Sequence, residues 1–327
     1  MLSRRRLLQT GSGAALAGLT PFGSAFAQSD YPSRTLRTIC MFPAGSGADI
    51  LVRFFAKKLE SELKQSVVVE NKVGAFGNIA NEFVARSKPD GYTIYIAPAN
   101  LLAISPSMFK KISFDPVKDF EHITTLFKLP FVLTVAGDSP IKNVADLVAL
   151  LKTKGDKASY GSVSTVSLIS AELFKAQFGL AAVEIPYKQS SQAAADLFNK
   201  TIDFLYIDPA GAAGHIAEGR MRPLAVTTKE RVPALPNIPG SGEVGIDNSD
   251  VFSWWTVHTP KGAPQQVLDK LEAVFNKIVK DDDTKAFLTR SGSSPFPGNR
   301  ALAEKLIVDG VKTWGDWVKL AKVKPLG

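Results

Sequence analysis

Thr38-Ile39-Cys40-Met41-Phe42-Pro43-Ala44-Gly45-Ser46-Gly47-Ala48-Asp49 is the stretch whose reading decides the fold. Ile39 to Phe42 is a short apolar run of strand character, and Pro43 breaks it. Gly45, Ser46 and Gly47 turn the chain, and Asp49 precedes a repeat of Ile50, Phe54, Phe55, Leu59 and Leu63 on one helix face. A strand that passes through a turn of small residues into a helix leaves several backbone N–H groups unpaired at the helix start. Those donors and the helix dipole favour an anion. The same stretch also reads as an ordinary βα connection that needs glycine for positive φ and nothing else.

Further units of the same kind follow. Ser66 to Glu70 reads as a strand, a turn with Gly74 and Gly77 follows, and Asn78 to Ala85 reads as a helix. Lys88-Pro89-Asp90-Gly91 is a strong turn before a strand from Tyr92 to Ala97, which Pro98-Ala99-Asn100 ends. Successive βα units predict a parallel sheet with helices on its faces, and such sheets bind ligands outside the carboxyl ends of their strands. A second series opens near Phe131. Its strands are expected at 131–136, 159–161, 183–187, 203–207 and 224–227, with helices between them. Ser162, Ser164, Thr165 and Ser167 crowd the start of the helix over 169–178; hydroxyls there cap helices, and here they could also hold an anion. Arg231 to Asp250 is a Pro- and Gly-rich connection. Val251 to His258 returns to strand character, and three helices follow, over 266–280, 283–291 and 302–320. With no third sheet in view, these last elements are expected to pack back on the first lobe.

Composition excludes some functions. The 327 residues are 45% hydrophobic and 21% charged, an ordinary globular balance. Residues 1–27 read as a cleavable export signal: Arg4-Arg5-Arg6-Leu7-Leu8, an apolar run from Ala14 to Leu19, and Ala25-Phe26-Ala27 before Gln28. Its paired arginines resemble the bacterial twin-arginine type. Leaving out the three leader arginines lowers the formal charge from +8 to +5. The remaining Lys and Arg are scattered among acids, which argues against nucleic acid. Cys40, the single cysteine, lies in an apolar run and has no base in its vicinity. His122, His215 and His258 lack metal-ligand spacing, so neither a metal nor a cofactor is expected.

A set of segments in order resembles one family. They are Tyr31-Pro32-Ser33-Arg34, Phe42 to Asp49, Val68-Val69-Glu70-Asn71 through Gly77-Asn78, and Pro89-Asp90-Gly91-Tyr92-Thr93. Asp115-Pro116-Val117-Lys118-Asp119-Phe120, Val183 to Lys188, Gly219 to Thr227 and Pro233 to Pro239 complete the set. Together they resemble the periplasmic solute-binding proteins of tripartite tricarboxylate transporters, the Bug (TctC-like) family. The resemblance implies a two-lobed α/β Venus-flytrap fold, each lobe a mostly parallel sheet flanked by helices, with the ligand in the cleft between. It implies lobes of residues 28–130 plus 252–327 and of residues 131–251. It also implies a carboxylate ligand, a membrane transporter with one large and one small subunit as partner, and no enzymatic role. A monomer is expected.

Carried over residue by residue, the resemblance places ligand contacts of the first lobe at Phe42, Pro43, Gly45, Ser46, Gly47, Ala48, Asp49, Gly77, Asn78, Pro98, Ala99 and Asn100. Those of the second lobe fall at Ser162, Ser164, Thr165, Ser167, Tyr187 and Asp208. Three departures bear on the ligand. Ala48 stands where the family has a threonine, Phe76 replaces the first of two glycines, and the serine-rich loop is shorter. Tyr187 and Phe76 are accordingly expected to flank an aromatic ring, or else simply to pack. The ligand reads as an aliphatic di- or tricarboxylate or an aromatic acid such as terephthalate. A sensor subunit with the same ligand, or an α/β enzyme using the Gly-rich turn for phosphate, are the alternatives; the turn has neither the G-x-G-x-x-G nor the Walker spacing.

Overall fold

A computed structural model describes residues 31–247, 250–323 and 325; the expected leader lies outside the described residues. The chain runs β1 (Leu36–Cys40), α1 (Gly47–Leu63), β2 (Val67–Asn71), α2 (Asn78–Ala85), β3 (Thr93–Pro98), α3 (Ala99–Met108) and β4 (Phe120–Pro130). It continues with β5 (Val132–Ala136), α4 (Val144–Lys154), β6 (Ser159–Ser162), α5 (Thr165–Phe178), β7 (Val183–Pro186), α6 (Ser190–Phe198), β8 (Phe204–Ile207), α7 (Pro209–Ala217) and β9 (Met221–Val226). Then come β10 (Phe252–Pro260), α8 (Gln265–Lys280), α9 (Asp282–Arg290), β11 (Ser294–Pro295) and α10 (Arg300–Leu320).

Two sheets result. A six-stranded sheet has the order β11-β4-β10-β3-β1-β2, and a five-stranded sheet the order β7-β6-β8-β5-β9. Both are mixed rather than mostly parallel. The βα units pair in parallel, β1 with β2 and β3, and β6 with β7 and β8. The strands on either side of the crossings between sheets run the other way: β10 is antiparallel to β3 and β4, and β5 to β8 and β9. A strand that arrives by crossing, without a helical return, enters with its direction reversed.

The first sheet buries a column of rings. Phe42 stacks on Trp255 (5.7 Å between centroids), Trp255 on Phe127 (5.1 Å), and Phe127 on Phe55 of α1 (5.8 Å). Each offset pair adds about 0.5–1.5 kcal/mol to the burial of its area. Helix α9 is fixed to α1 by Phe287 stacked on Phe54 at 3.8 Å. Helix α10 lies against α3, where Gly310 approaches so closely that a Cβ would sit 3.0 Å from that of Ala103.

The chain passes between the sheets at residues 130–132 and 226–252, and Thr227 ties the two crossings together. Its N–H donates to Phe131 O (2.9 Å), its Oγ1 accepts from Phe131 N (2.9 Å), and its carbonyl accepts from Val251 N (3.2 Å).

Candidate ligand-binding cleft

The loop before α1 is held by its own aspartate. Ser46 caps the helix, its Oγ accepting from Asp49 N at 3.2 Å. Asp49 Oδ2 accepts from Gly45 N (2.8 Å) and Arg53 Nε (2.8 Å), and Oδ1 accepts from Asn71 Nδ2 (2.7 Å). Asn71 Nδ2 also donates to Phe42 O at 2.8 Å, closing the loop onto β2. Burial would raise the Asp49 carboxyl, but the Arg53, Asn71 and Gly45 hydrogen bonds outweigh it and hold the group down at about 2. The cap takes Asp49 N, and the helix offers no acceptor for the N–H groups of Gly47 and Ala48. Both residues line a cavity of about 700 Å³.

Three more helices begin at the same cavity. Helix α3 contributes Pro98, Asn100 and Leu101, α5 contributes Thr165 and Val166 after its cap Ser164, and α7 contributes Ala210 and Gly211 after its cap Asp208. Ser164 Oγ accepts from Ser167 N (3.2 Å), and Asp208 Oδ1 accepts from Gly211 N (2.9 Å). Four helix N-termini, two after strands of each sheet, thus converge with their positive dipole ends on one space, and the arrangement suits an anion. Arg290, at the end of α9, adds an exposed cation that has no carboxylate partner among the described residues. Asp208 is the one acid of the lining.

The structure sorts the eighteen expected contacts into two groups. Phe42, Gly47, Ala48, Pro98, Asn100, Ser164, Thr165 and Asp208 line the cavity. The other ten are absent from its lining, and most have a structural task. Pro43, Gly45, Ser46 and Asp49 build the α1 loop. Gly77 has φ +93° and backs onto Met41, while Asn78 Oδ1 accepts from Ser105 Oγ at 2.9 Å within the core. Ala99 is fully buried in the core beside them. Ser162 Oγ donates to Glu184, Ser167 Oγ to Tyr206 O (2.6 Å), and Tyr187 Oη to Asp196 Oδ2 (2.6 Å). Phe76 is exposed and also absent from the lining, so neither Tyr187 nor Phe76 flanks the cavity.

The rings that do face it were not anticipated. Trp255, Phe131 and Phe287 join Phe42 in the lining, with Leu129, Ser253, Arg290 and Ser291. The alternation in Val251-Phe252-Ser253-Trp254-Trp255 carried a signal for two of them: a two-residue period puts Ser253 and Trp255 on one face of β10. Nothing local marks Phe287 or Arg290, which depend on α9 folding back on α1. Cys40 is buried beside the loop, and burial pushes its thiol up to about 11, which makes it inert. Among the described residues, no cluster of His, Cys, Asp and Glu could hold a metal ion, and no helix is long and apolar enough to cross a membrane.

Residues 51–322 match the model of the tripartite tricarboxylate transporter family receptor, TctC. The chain belongs to this receptor family. A UPF0065 protein of Bordetella bronchiseptica is 30% identical over 295 residues, covering 90% of this chain and 88% of the relative. BugT of Bordetella pertussis is 26% identical, with 88% of this chain and 90% of that protein aligned. Among solved structures, R. palustris Rpa4515 with adipate superimposes with a TM-score of 0.80 at 28% identity, over 91% of this chain and all (100%) of that one. The periplasmic binding protein BugD gives 0.77 at 29% identity, over 90% and 100%. The two-sheet α/β fold is therefore that of the family's periplasmic binding proteins, and the cavity lies where four helices of that fold begin.

Proposed function

We propose that this chain is an exported solute-binding protein. It captures an organic carboxylate in the periplasm and hands it to a tripartite transporter with one large and one small membrane subunit. Residues 1–27 are the leader, residues 28–130 with 252–327 form one lobe, and residues 131–251 form the other. The observation that carries the reading is the convergence of α1, α3, α5 and α7 by their N-termini on one cavity, with Arg290 at its rim. The adipate held by Rpa4515, a relative of the same fold, supports a carboxylate.

In this reading the N–H groups of Gly47, Ala48, Thr165 and Val166 receive the carboxylate, and Asp208 accepts from a hydroxyl, an amine or a bridging water of the ligand. Because α1 and α5 belong to different lobes, a carboxylate that both touch stabilises the closed arrangement over the open one, which is what drives closure. The chain has no catalytic role in this reading.

Thermal-shift titration against aliphatic and aromatic mono-, di- and tricarboxylates tests it, with amino acids and nucleotides as controls. Binding to the folded state raises the melting temperature with ligand concentration. A shift with a carboxylate is expected; a shift only with a nucleotide or sugar phosphate would sink the reading.

A further inference from the structure

Gly292 ends α9 in a left-handed turn, φ +72°, its N–H donating to Thr289 O at 3.0 Å. Gly179 ends α5 in the same conformation, and there a Cβ would meet open space. At Gly292 a Cβ would lie 2.2 Å from that of Pro209, the first residue of α7. Both residues are buried. Glycine at 292 therefore does more than supply a positive φ: it lets a backbone lie directly against the Pro209 ring.

This contact joins the two halves of the molecule beside a crossing. Ser294 pairs with Lys128, near the end of β4, and Ile207 pairs with Val132, the first residue of β5. Gly292 and Pro209 each lie two residues beyond those partners, so they flank the 130–132 crossing. Their neighbours face the cavity, Arg290 and Ser291 from one side, Asp208 and Ala210 from the other. Helix α10 also touches α5, but no residue of α10 lines the cavity.

Lobes that turn about the crossings close by approaching along the cavity. A contact beside the axis and on the cavity side is compressed by closing and relieved by opening. Packed atoms yield little, so the contact bears the load. A displacement there is magnified at β2 and β7, the sheet edges farthest from the crossing strands.

We propose that Gly292 against Pro209 is the stop that sets how far the two lobes close, and with it the width of the space left for a ligand. The proposal rests on the two-lobe reading above and not on the class of ligand.

A distance between the lobes, read without ligand, is the test. Spin labels go on the mature protein at Ile79→Cys, after β2, and Lys188→Cys, after β7, both exposed positions; Cys40 is buried and takes none. Double electron–electron resonance then gives the distribution of distances. Gly292→Ala is expected to lengthen the shortest populated distance by several ångströms, and adding Pro209→Gly to bring it back. Gly179→Ala, with the same backbone strain and no clash, is expected to leave it unchanged. Pro209→Gly alone is expected to shorten it, and decides the matter should Gly292→Ala not fold. An unchanged distribution in folded Gly292→Ala overturns the proposal, as does a lengthening that Pro209→Gly fails to reverse or that Gly179→Ala reproduces. With Gly292→Ala unfolded, an unchanged distribution in Pro209→Gly overturns it. A carboxylate panel that shifts no melting temperature sinks the carboxylate reading alone, since the distances need no ligand.

Discussion

Asn71 Nδ2 donates to Asp49 Oδ1 at 2.7 Å, so the acid of the α1 loop turns away from the cleft and into its own scaffold. Replacing it with asparagine keeps the size but removes the charge that holds Arg53 and Gly45. Asp49→Asn is expected to lower stability by about 1–3 kcal/mol in urea denaturation at pH 7 and to weaken ligand binding by loosening the loop. The sign of the pH effect follows from the lowered folded value. The contribution, roughly 2 kcal/mol, is present above the ordinary value and lost as the pH falls through the folded one. That window runs from 3.8 down to about 2, and within it the two proteins should converge in stability.

His122 and His258 meet in the core with Nδ1 facing Nδ1 at 2.8 Å, a contact that two charged rings cannot make. Burial pushes His122 down to about 4, aided by Lys261, and pushes His258 well below its usual value, aided by His122. Both stay neutral in the folded protein while the unfolded chain protonates at its usual value. Stability is therefore complete above pH 6.5 and falls as the pH drops toward about 4. His122 alone contributes up to about 3 kcal/mol to that fall. Melting temperatures measured from pH 8 to pH 5 should decline, and His122→Asn should flatten the slope.

A Cβ on Gly77 would lie 1.9 Å from Met41 Cε, and its φ of +93° disfavours any side chain. Gly77→Ala is expected to cost about 1–3 kcal/mol. Since Gly77 is absent from the cavity lining, the folded fraction at low temperature should keep wild-type ligand affinity, measured by calorimetry.

In the proposed carboxylate reading Arg290 would attract the ligand from an exposed position, and its effect would be screened by salt. Arg290→Glu should reduce carboxylate affinity about threefold to tenfold at low ionic strength, with the difference shrinking at 0.5 M salt, as an exposed charge contributes about 1 kcal/mol. A difference independent of salt would place the guanidinium in direct, desolvated contact instead.

The βα units were legible because their strands are short, apolar and bounded by Gly and Pro; α2 falls on Asn78–Ala85 as its periodicity indicates. Strand β4 was not. Phe120 to Pro130 is an eleven-residue strand largely buried on both faces, so its polar residues Glu121, His122, Thr124, Thr125 and Lys128 do not alternate with the apolar ones. Helix α3 hid for a related reason, being apolar all round with Pro106 inside it. At the cleft, the loops after strands stood out in the sequence, but which of their side chains turn inward did not. Ser162, Ser167 and Tyr187 have the right chemistry, yet each is bound to a neighbour that only the fold brings near.

The place of β10 between β3 and β4 has a consequence for the order in which the molecule is made. The five-stranded sheet is contiguous from residue 132 to 226 and can close as soon as that stretch has been synthesised. The six-stranded sheet cannot, because β3 and β4 are not joined into one sheet until residues 252–260 pair between them. The half of the molecule that starts first is thus completed last, and until then β3 and β4 each present an open edge of the kind that recruits foreign strands.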